Sequence, residues 1–298
     1  MDYVVTGGAG YIGGHLVDEL VKLGKVTVID DFSSGSYVNE KATYIRADLA
    51  KETVNIPNGS LIFHLAADPD VKESMFEHAD HFERDVRATL NVAELARKHD
   101  AKGIIFTSSS TVYGEAERIP TPETEPPMPI SFYGLYKLLG EQILEFYSRN
   151  YGMNATALRL ANIIGGRMSH GVIVDFIKKL RINPKRLEIL GNGKQKKSYL
   201  YINDLVELFI KLNPKGFKVY NVGNRDWVNV MQIAEIIEKS MGANPEHVFV
   251  DYKDGKGWEG DVRFMLLDIS LIEKEVGWKP SLTSEEAVKA AVRDIIQK

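Results

Sequence analysis

The sequence predicts an α/β chain built on a doubly wound parallel Rossmann sheet, followed by a smaller, discontinuous C-terminal portion. Three observations predict it. Short apolar runs alternate with helix-period segments through the first half, a glycine-rich turn joins the first run to the first helix, and the alternation loosens after Asn162. Strands separated by crossover helices must run parallel, because a parallel neighbour cannot be reached by a tight hairpin.

In chain order, residues 3–6, 26–30, 44–46, 61–65, 104–107 and 156–160 read as strands, each rich in β-branched or other apolar side chains. Helix-period segments lie between them at 12–23, 78–99 and 132–151. Residues 115–129 hold five of the eleven prolines and must be irregular, since proline fixes φ and lacks a backbone donor. Beyond Asn162 come Gly165-Gly166, an amphipathic helix at 172–180, the Gly191-Asn192-Gly193 turn and a closing helix that Thr283 or Ser284 could cap. The helix at 203–212 and the strand at 218–222 are expected to return to the main sheet. The expected division is therefore 1–164 with 195–224 as the dinucleotide-binding domain, and 165–194 with 225–298 as a substrate-binding domain.

The bulk numbers narrow the function. The chain has 298 residues, 44% of them hydrophobic, which is enough for a full core. With 37 basic and 41 acidic residues the net charge is -4, so no global field attracts polyanions and no nucleic acid partner is expected. The absence of cysteine removes disulfides, thiolate metal sites and a thiol nucleophile. No targeting segment and no run long enough to span a bilayer is seen, so a cytoplasmic protein with no membrane partner is expected. Seven scattered histidines show no metal-binding spacing; His78 and His81, on one helical face, read as solvated, and no metal is expected.

Thr6-Gly7-Gly8-Ala9-Gly10-Tyr11-Ile12-Gly13 follows the first strand and opens the first helix, the context that a phosphate-cradling loop needs. Glycine permits positive φ and lets backbone N–H groups and the helix's positive end approach a pyrophosphate. Asp30 and Asp31 end the second strand, where a carboxylate can accept hydrogen bonds from ribose hydroxyls and would repel a 2′-phosphate; the cofactor read from this is NAD. Ser33, Ser34 and Gly35 follow directly and join the cofactor set. Asp48-Leu49 and Leu65-Ala66-Ala67, after the third and fourth strands, suit either a cofactor or simple packing.

Tyr133 and Lys137 stand four apart on a segment whose Leu135, Leu138, Leu139, Ile143 and Phe146 suit a helix, so their side chains share a face. An ammonium beside a phenol, together with an oxidised nicotinamide, favours phenolate and makes tyrosine a usable general base. Thr107-Ser108-Ser109-Ser110-Thr111-Val112-Tyr113-Gly114 lies at the carboxyl end of the fifth strand, where open α/β sheets place ligands; a hydroxyl there could bind the alcohol oxygen that Tyr133 deprotonates. A serine-rich cap or turn is the plainer alternative.

With the glycine loop, acidic pair, serine run and Tyr/Lys pair all in order, the chain resembles the extended short-chain dehydrogenase/reductase family, and within it the branch of UDP-glucose 4-epimerases, archaeal members above all. The resemblance runs from Thr6-Gly7-Gly8 through Gly260-Asp261-Val262 to the closing helix. It implies that Tyr133 is the base, that Lys137 grips the nicotinamide ribose, and that Ser109 bonds the reacting hydroxyl, with Ser108 and Ser110 as fallbacks and Thr111 beside them. The implied reaction inverts C4 of a UDP-hexose through a transient 4-keto sugar, with NAD retained as a prosthetic group. Related dehydratases and decarboxylases carry acidic residues where this chain has Ser110-Thr111, which favours epimerisation.

The same resemblance assigns Asn162 to the diphosphate, Val172, Ile173 and Leu190 to the uridine, and Asp261 with Lys197 and Trp258 to the substrate. Lys197 and Trp258 stand where relatives have arginines, Asp85 where they have an asparagine near the nicotinamide, and Met265 where some have a tyrosine that limits the sugar's substituents. Trp258 could instead be an apolar plug beneath the last helix. A homodimer through the helices at 78–99 and 132–151 is implied as well. Two rival readings remain: another nucleotide-sugar epimerase or reductase of the same fold, and a non-catalytic nucleotide-sensing or scaffold protein.

Overall fold

Runs such as Leu61–His64, Gly103–Ser109 and Ala155–Leu160 are buried at every position, as strands covered on both faces must be. A computed structural model of the chain describes residues 1–297; Lys298, the last residue of the expected 225–298 segment, lies outside the described residues. The first six strands are β1 (Asp2–Thr6), β2 (Lys25–Asp30), β3 (Thr43–Arg46), β4 (Leu61–His64), β5 (Gly103–Ser109) and β6 (Ala155–Leu160). With the strand Phe217–Val222 they form one seven-stranded parallel sheet, ordered from that strand through β6, β5, β4, β1 and β2 to β3. The expected return of 218–222 to this sheet is therefore observed. Strand order reverses between β1 and β4, so the carboxyl ends of β1, β2, β4 and β5 gather around the crevice where such sheets bind ligands.

The helices are α1 (Tyr11–Leu20), α2 (His78–Phe82), α3 (Ala88–Lys98) and α4 (Phe132–Tyr151). The expected single helix over 78–99 is interrupted: Glu83–Arg87 forms a π-turn between α2 and α3. The expected segment 132–151 is one helix, started by Ser131, whose hydroxyl accepts the Gly134 N–H at 3.2 Å, and ended by Gly152 in the left-handed region at φ 68°. Leu135 and Phe146, read as part of the apolar set, are exposed, and the buried face holds Tyr136, Lys137, Glu141 and Leu144. Val4, Ile29, Ile62, Val92, Ile104 and Leu144 build the core beneath α3 and α4.

Chain contacts define two compact units. The first comprises Met1–Tyr113, Pro129–Leu160 and Val206–Tyr220; the second comprises Gly114–Met128, Ala161–Leu205 and Asn221–Lys298. In the second, three small sheets pair Asn162–Ile164 with Tyr199–Tyr201, Arg186–Leu190 with Glu246–Val250, and Lys196–Lys197 with both Val228–Asn229 and Phe264–Met265. Helices Val172–Ile182, Val230–Met241 and Ser284–Ile296 pack around Ile173, Phe176, Leu187, Ile233 and Val288. Among the described residues no helix is long and apolar enough to cross a membrane.

Of the two candidate caps, Thr283 takes the closing helix: its hydroxyl accepts the Glu286 N–H at 3.2 Å while Glu286 accepts the Thr283 N–H at 2.9 Å. Ser284 turns inward and donates to the Asp226 carbonyl at 3.0 Å. Replacing Thr283 by Ala leaves helix donors unsatisfied and is expected to lower stability by about 1 kcal/mol, read as a reduced urea midpoint at unchanged slope.

Candidate active site

The glycine loop is a cradle that side chains would fill. Gly7 has φ +71°, and a Cβ there would stand 2.7 Å from the Ala66 nitrogen; one on Gly13 would stand 2.2 Å from the Gly7 carbonyl oxygen. α1 begins at Gly10 with no side-chain cap and no acidic residue in its first turn, so its amino end presents bare N–H groups to an anion. Gly35 lies against the same turn, since a Cβ there would stand 2.2 Å from the Ala9 carbonyl oxygen. The Tyr37 N–H donates to that same oxygen at 3.1 Å. Tyr11 and Ile12 are half-buried in the first turn of α1.

Asp30 does more than end its strand. It is 9% exposed, and its two oxygens accept the Ala9 and Phe32 N–H groups, each at 2.8 Å, so this carboxylate braces the glycine loop from behind. Burial, its largest influence, pushes the carboxyl above its usual range despite both hydrogen bonds. Asp31 accepts from the Ser33 N–H at 2.9 Å and hydroxyl at 2.6 Å, which leaves Ser33 and Ser34 on the surface. Asp48 turns to Lys51 at 2.9 Å, and Leu49 is buried in the core. The N–H groups of Leu65 and Ala66 donate to the Thr6 hydroxyl at 3.2 and 3.1 Å, tying the turn after β4 to β1, with Ala67 half-buried beyond it.

Beside this cradle the structure brings Tyr133, Lys137 and Ser109 together. A Cβ on Gly134 would stand 2.6 Å from the Thr111 carbonyl oxygen, so the start of α4 lies directly on the serine run. The Tyr133 N–H also donates to the Ser74 hydroxyl at 3.1 Å. Ser109 favours the ionised form of the Tyr133 phenol, and its own oxygen accepts from the Thr111 hydroxyl at 2.9 Å. Lys137 is 3% exposed, with Nζ 5.5 Å from the Tyr133 ring centre and 5.1 Å over the Phe106 ring.

The electrostatics depart from expectation. Burial and then the Asp85 charge push the Tyr133 phenol well above its ordinary value, and burial pulls the Lys137 ammonium down while Asp85 holds it up. The chain alone therefore favours the protonated phenol, because burial and the Asp85 charge both oppose phenolate. His64, fully buried between the Thr6 and Thr89 hydroxyls at 2.8 and 3.0 Å, falls from 6.5 to about 3 through burial and then the Lys137 charge, and is neutral near pH 7.

Ser108 belongs to a different assembly. It is 2% exposed and donates to Glu141 at 2.5 Å; Glu141 pairs with Arg159 at 2.7 Å, and Arg159 donates to the Tyr113 hydroxyl at 2.8 Å. Ser110 is half-buried in the 3-10 turn Ser110–Tyr113 that follows β5. His81, read as solvated, is 2% exposed, because the π-turn rolls that side of the helix inward. It approaches Asp68 at 3.8 Å, and Asp68 also receives Arg84 at 2.7 Å. Asp68, Glu73 and His81 bring potential ligand atoms within 4.8 Å, but the guanidinium on Asp68 makes this an ion-pair cluster. Nothing in spacing marked Asp68 or the Glu141–Arg159 pair, and Asp85 was marked only by the resemblance; for Glu141 the available signal was that it shares a helical face with Lys137 and Leu144.

In the second unit, Lys197 and Asp261 meet at 2.8 Å, and Asp261 also accepts the Gly257 N–H at 3.1 Å. Trp258 is half-buried in the loop between them, its carbonyl accepting the Asp261 N–H at 3.2 Å. Met265 pairs in register with Lys197. The Asn162 amide donates to the Ser198 carbonyl at 3.1 Å. Val172 starts its helix half-buried, Ile173 is wholly enclosed in the core, and Leu190 ends its strand 38% exposed.

The sequence profile described as "NAD dependent epimerase/dehydratase family" matches residues 3–223. A solved UDP-galactose 4-epimerase is 44% identical, superposes with TM-score 0.90 and is covered over 99% of its chain by 100% of this one. A UDP-glucose 4-epimerase from Thermotoga maritima, solved with UDP-glucose, is 31% identical with TM-score 0.89, over 100% of this chain and 99% of that one. A UDP-N-acetylglucosamine 4-epimerase from Methanobrevibacter ruminantium M1, solved with UDP-N-acetylmuramic acid, is 30% identical with TM-score 0.88, over 99% and 98%. Gly13→Ala should force the Gly7 turn outward and weaken dinucleotide retention on the order of tenfold or more, measured as nucleotide released per chain after denaturation.

Proposed function

The chain belongs to the NAD dependent epimerase/dehydratase family and is an NAD-dependent enzyme; from that premise we propose that it inverts C4 of a UDP-hexose, interconverting UDP-glucose and UDP-galactose. One observation carries the reading: α4 sets Tyr133 and the buried Lys137 against the serine run at the carboxyl end of β5, with the Lys137 Nζ 5.5 Å from the Tyr133 ring centre and Gly134 seated on the Thr111 carbonyl. A hydroxyl held between Ser109 and Tyr133 would give up its proton to the tyrosine oxygen. Ser109 fixes the direction of approach, being itself fixed by Thr111. Lys137 is suited to grip a ribose and to favour charge on Tyr133.

The cradle fits NAD: bare glycines face a helix amino end, and the Asp30–Asp31 pair disfavours a 2′-phosphate. When bound, NAD supplies the acceptor that takes the C4 hydride and gives it back. Inversion then requires the transient 4-keto sugar to turn about its link to the diphosphate before the proton and hydride are restored. Asp48, Leu65 and Ala66, together with the backbone at Leu49 and Ala67, remain our candidates around the rest of the cofactor.

The portions 165–194 and 225–298 are our candidate substrate domain, with Val172 and Leu190 toward the uridine, Trp258 together with Asn162 and Lys197 from outside those portions toward the diphosphate, and Asp261 as a further substrate residue. Lys197 would exchange its Asp261 partner for a phosphate oxygen. Ile173, enclosed in the core, supports that region from behind. We also propose a cytoplasmic homodimer in galactose metabolism, without nucleic-acid or membrane partners; the exposed Phe82, Leu90, Leu135, Phe146 and Tyr151 on α2, α3 and α4 support the dimer.

A second reading, turnover of N-acetylhexosamines, is favoured by Met265, a flexible side chain that can yield to a bulkier substituent. Pure protein given UDP-galactose without added cofactor should form UDP-glucose; absence of product would overturn the proposal. Tyr133→Phe should keep bound NAD and lose roughly a hundredfold or more in turnover. Met265→Tyr should depress turnover of UDP-N-acetylglucosamine more than that of UDP-galactose, and equal effects would remove the second reading.

A further inference from the structure

Tyr133 is the second residue of α4, and the N–H groups of a helix's first turn have no acceptor inside the helix. An N-cap side chain ordinarily satisfies one of them, and Ser131 does so for Gly134, its hydroxyl accepting that N–H at 3.2 Å. The Tyr133 N–H is satisfied from elsewhere. Its acceptor is the hydroxyl of Ser74, 59 positions earlier in the chain, at 3.1 Å. Two serines from distant parts of the sequence therefore meet at one helix start, where capping alone calls for one.

Ser74 is built to hold that position. It is fully buried, and its hydroxyl donates to the Val71 carbonyl at 2.7 Å, so its proton is committed to its own segment and a lone pair faces Tyr133. Two contacts flank the bond. The His78 ring stacks on Phe132 with centroids 4.0 Å apart while its Nδ1 lies 3.0 Å from the Ser74 carbonyl oxygen, and the Tyr136 hydroxyl donates to the His78 carbonyl at 3.0 Å. Residues 71–78 thus grip the first turn of α4 at Phe132, Tyr133 and Tyr136. The same stretch of chain leaves β4 through Ala66, whose nitrogen lies so near Gly7 that a Cβ there would stand 2.7 Å away. One short segment therefore touches the glycine loop at one end and the backbone of Tyr133 at the other.

We infer that Ser74 is a positioning residue for the reaction: by holding the main chain of Tyr133 to the segment that also lies against the glycine loop, it sets where the phenol stands relative to the dinucleotide cradle. Ser74 touches neither sugar nor cofactor in this scheme and acts through Tyr133. The inference rests on the reading of Tyr133 as the base. An alanine at position 74 leaves α4 capped by Ser131 but frees the Tyr133 end of the turn, and a reacting group about 1 Å out of place loses on the order of a hundredfold in rate.

The test uses the full chain with its NAD as wild type, Ser74→Ala and Ser74→Cys, each also in a Tyr133→Phe background. Cysteine is close to serine in size and offers only a weak sulfur acceptor, so it loosens the tie with little change in packing, and it decides the test alone should Ser74→Ala not fold. With UDP-galactose, kcat should fall on the order of tenfold in Ser74→Ala and by less in Ser74→Cys, while KM and NAD content stay unchanged. In the Tyr133→Phe background neither substitution should lower the residual turnover further, because a residue acting through that phenol has nothing left to act on. Amide hydrogen exchange in Ser74→Ala should quicken at Tyr133 while Gly134, held by Ser131, keeps its rate. Losses that persist in full without the phenol, an unchanged kcat, or equal quickening at both amides would overturn the inference. A wild type that leaves UDP-galactose unaltered, with exchange quickened at Tyr133 alone in the variant, would uphold the tie and remove the proposed function instead.

Discussion

A lysine ammonium withdrawn from water is the constraint around which the first unit is arranged. An unpaired cation in a dense interior loses hydration worth several kcal/mol, so its surroundings must replace water with other partners. Around Lys137 these are the Phe106 ring and the Tyr133 ring, while the Asp85 charge helps to hold the ammonium up against burial. Asp85 itself lies in the π-turn Glu83–Arg87, buried on the inner side of the helix. The turn widens the hydrogen-bond ladder, and Thr89 returns its hydroxyl to the Asp85 carbonyl.

A buried ion pair lies one helical turn further along α4. Glu141 takes the guanidinium of Arg159 from β6 and the hydroxyl of Ser108 from β5. A buried pair of this kind adds little net stability against an apolar alternative, yet it discriminates sharply between registers, since any slip strands both charges. Ser109 is the next residue along β5 after Ser108, so the network fixes where the candidate oxygen-binding hydroxyl stands. Two ionisable residues on the inner face of α4 therefore serve different ends: Lys137 lies beside Tyr133, the base we propose, and Glu141 holds the strand that carries Ser109.

The fold was legible because its signals are local and periodic. Parallel strands buried on both faces read as continuous apolar runs, and the glycine loop between β1 and α1 has few other uses. The four-residue spacing of Tyr133 and Lys137 likewise survives as a shared face whatever the tertiary context. The buried polar groups were not legible. Leu135 and Phe146 look like core residues and are exposed, while Lys137 and Glu141 look like surface residues and are buried. Periodicity reports which residues share a face and is silent on which face turns inward when charges interrupt it. The π-turn has no compositional mark, so the burial of His81 could not be read before the backbone was seen, and Asp85 was marked only by resemblance. Asp30 was legible as an acid at a strand end, but not as the brace of the glycine loop.

The close seat of Gly35 on the Ala9–Gly10 peptide has a kinetic corollary. The segment from Asp31 to Tyr37 is fastened over that turn through the missing Cβ of Gly35 and the Tyr37 N–H, and to α1 through the Tyr37 hydroxyl, which donates to Asp18 at 2.6 Å. On our proposed reading, a dinucleotide held against this turn would leave only as the strap peels away, so its residence time would be set by loop opening and not by events at the reacting carbon. A catalyst so arranged would keep its redox partner from one turnover to the next, whatever the oxidation state of the soluble pool around it.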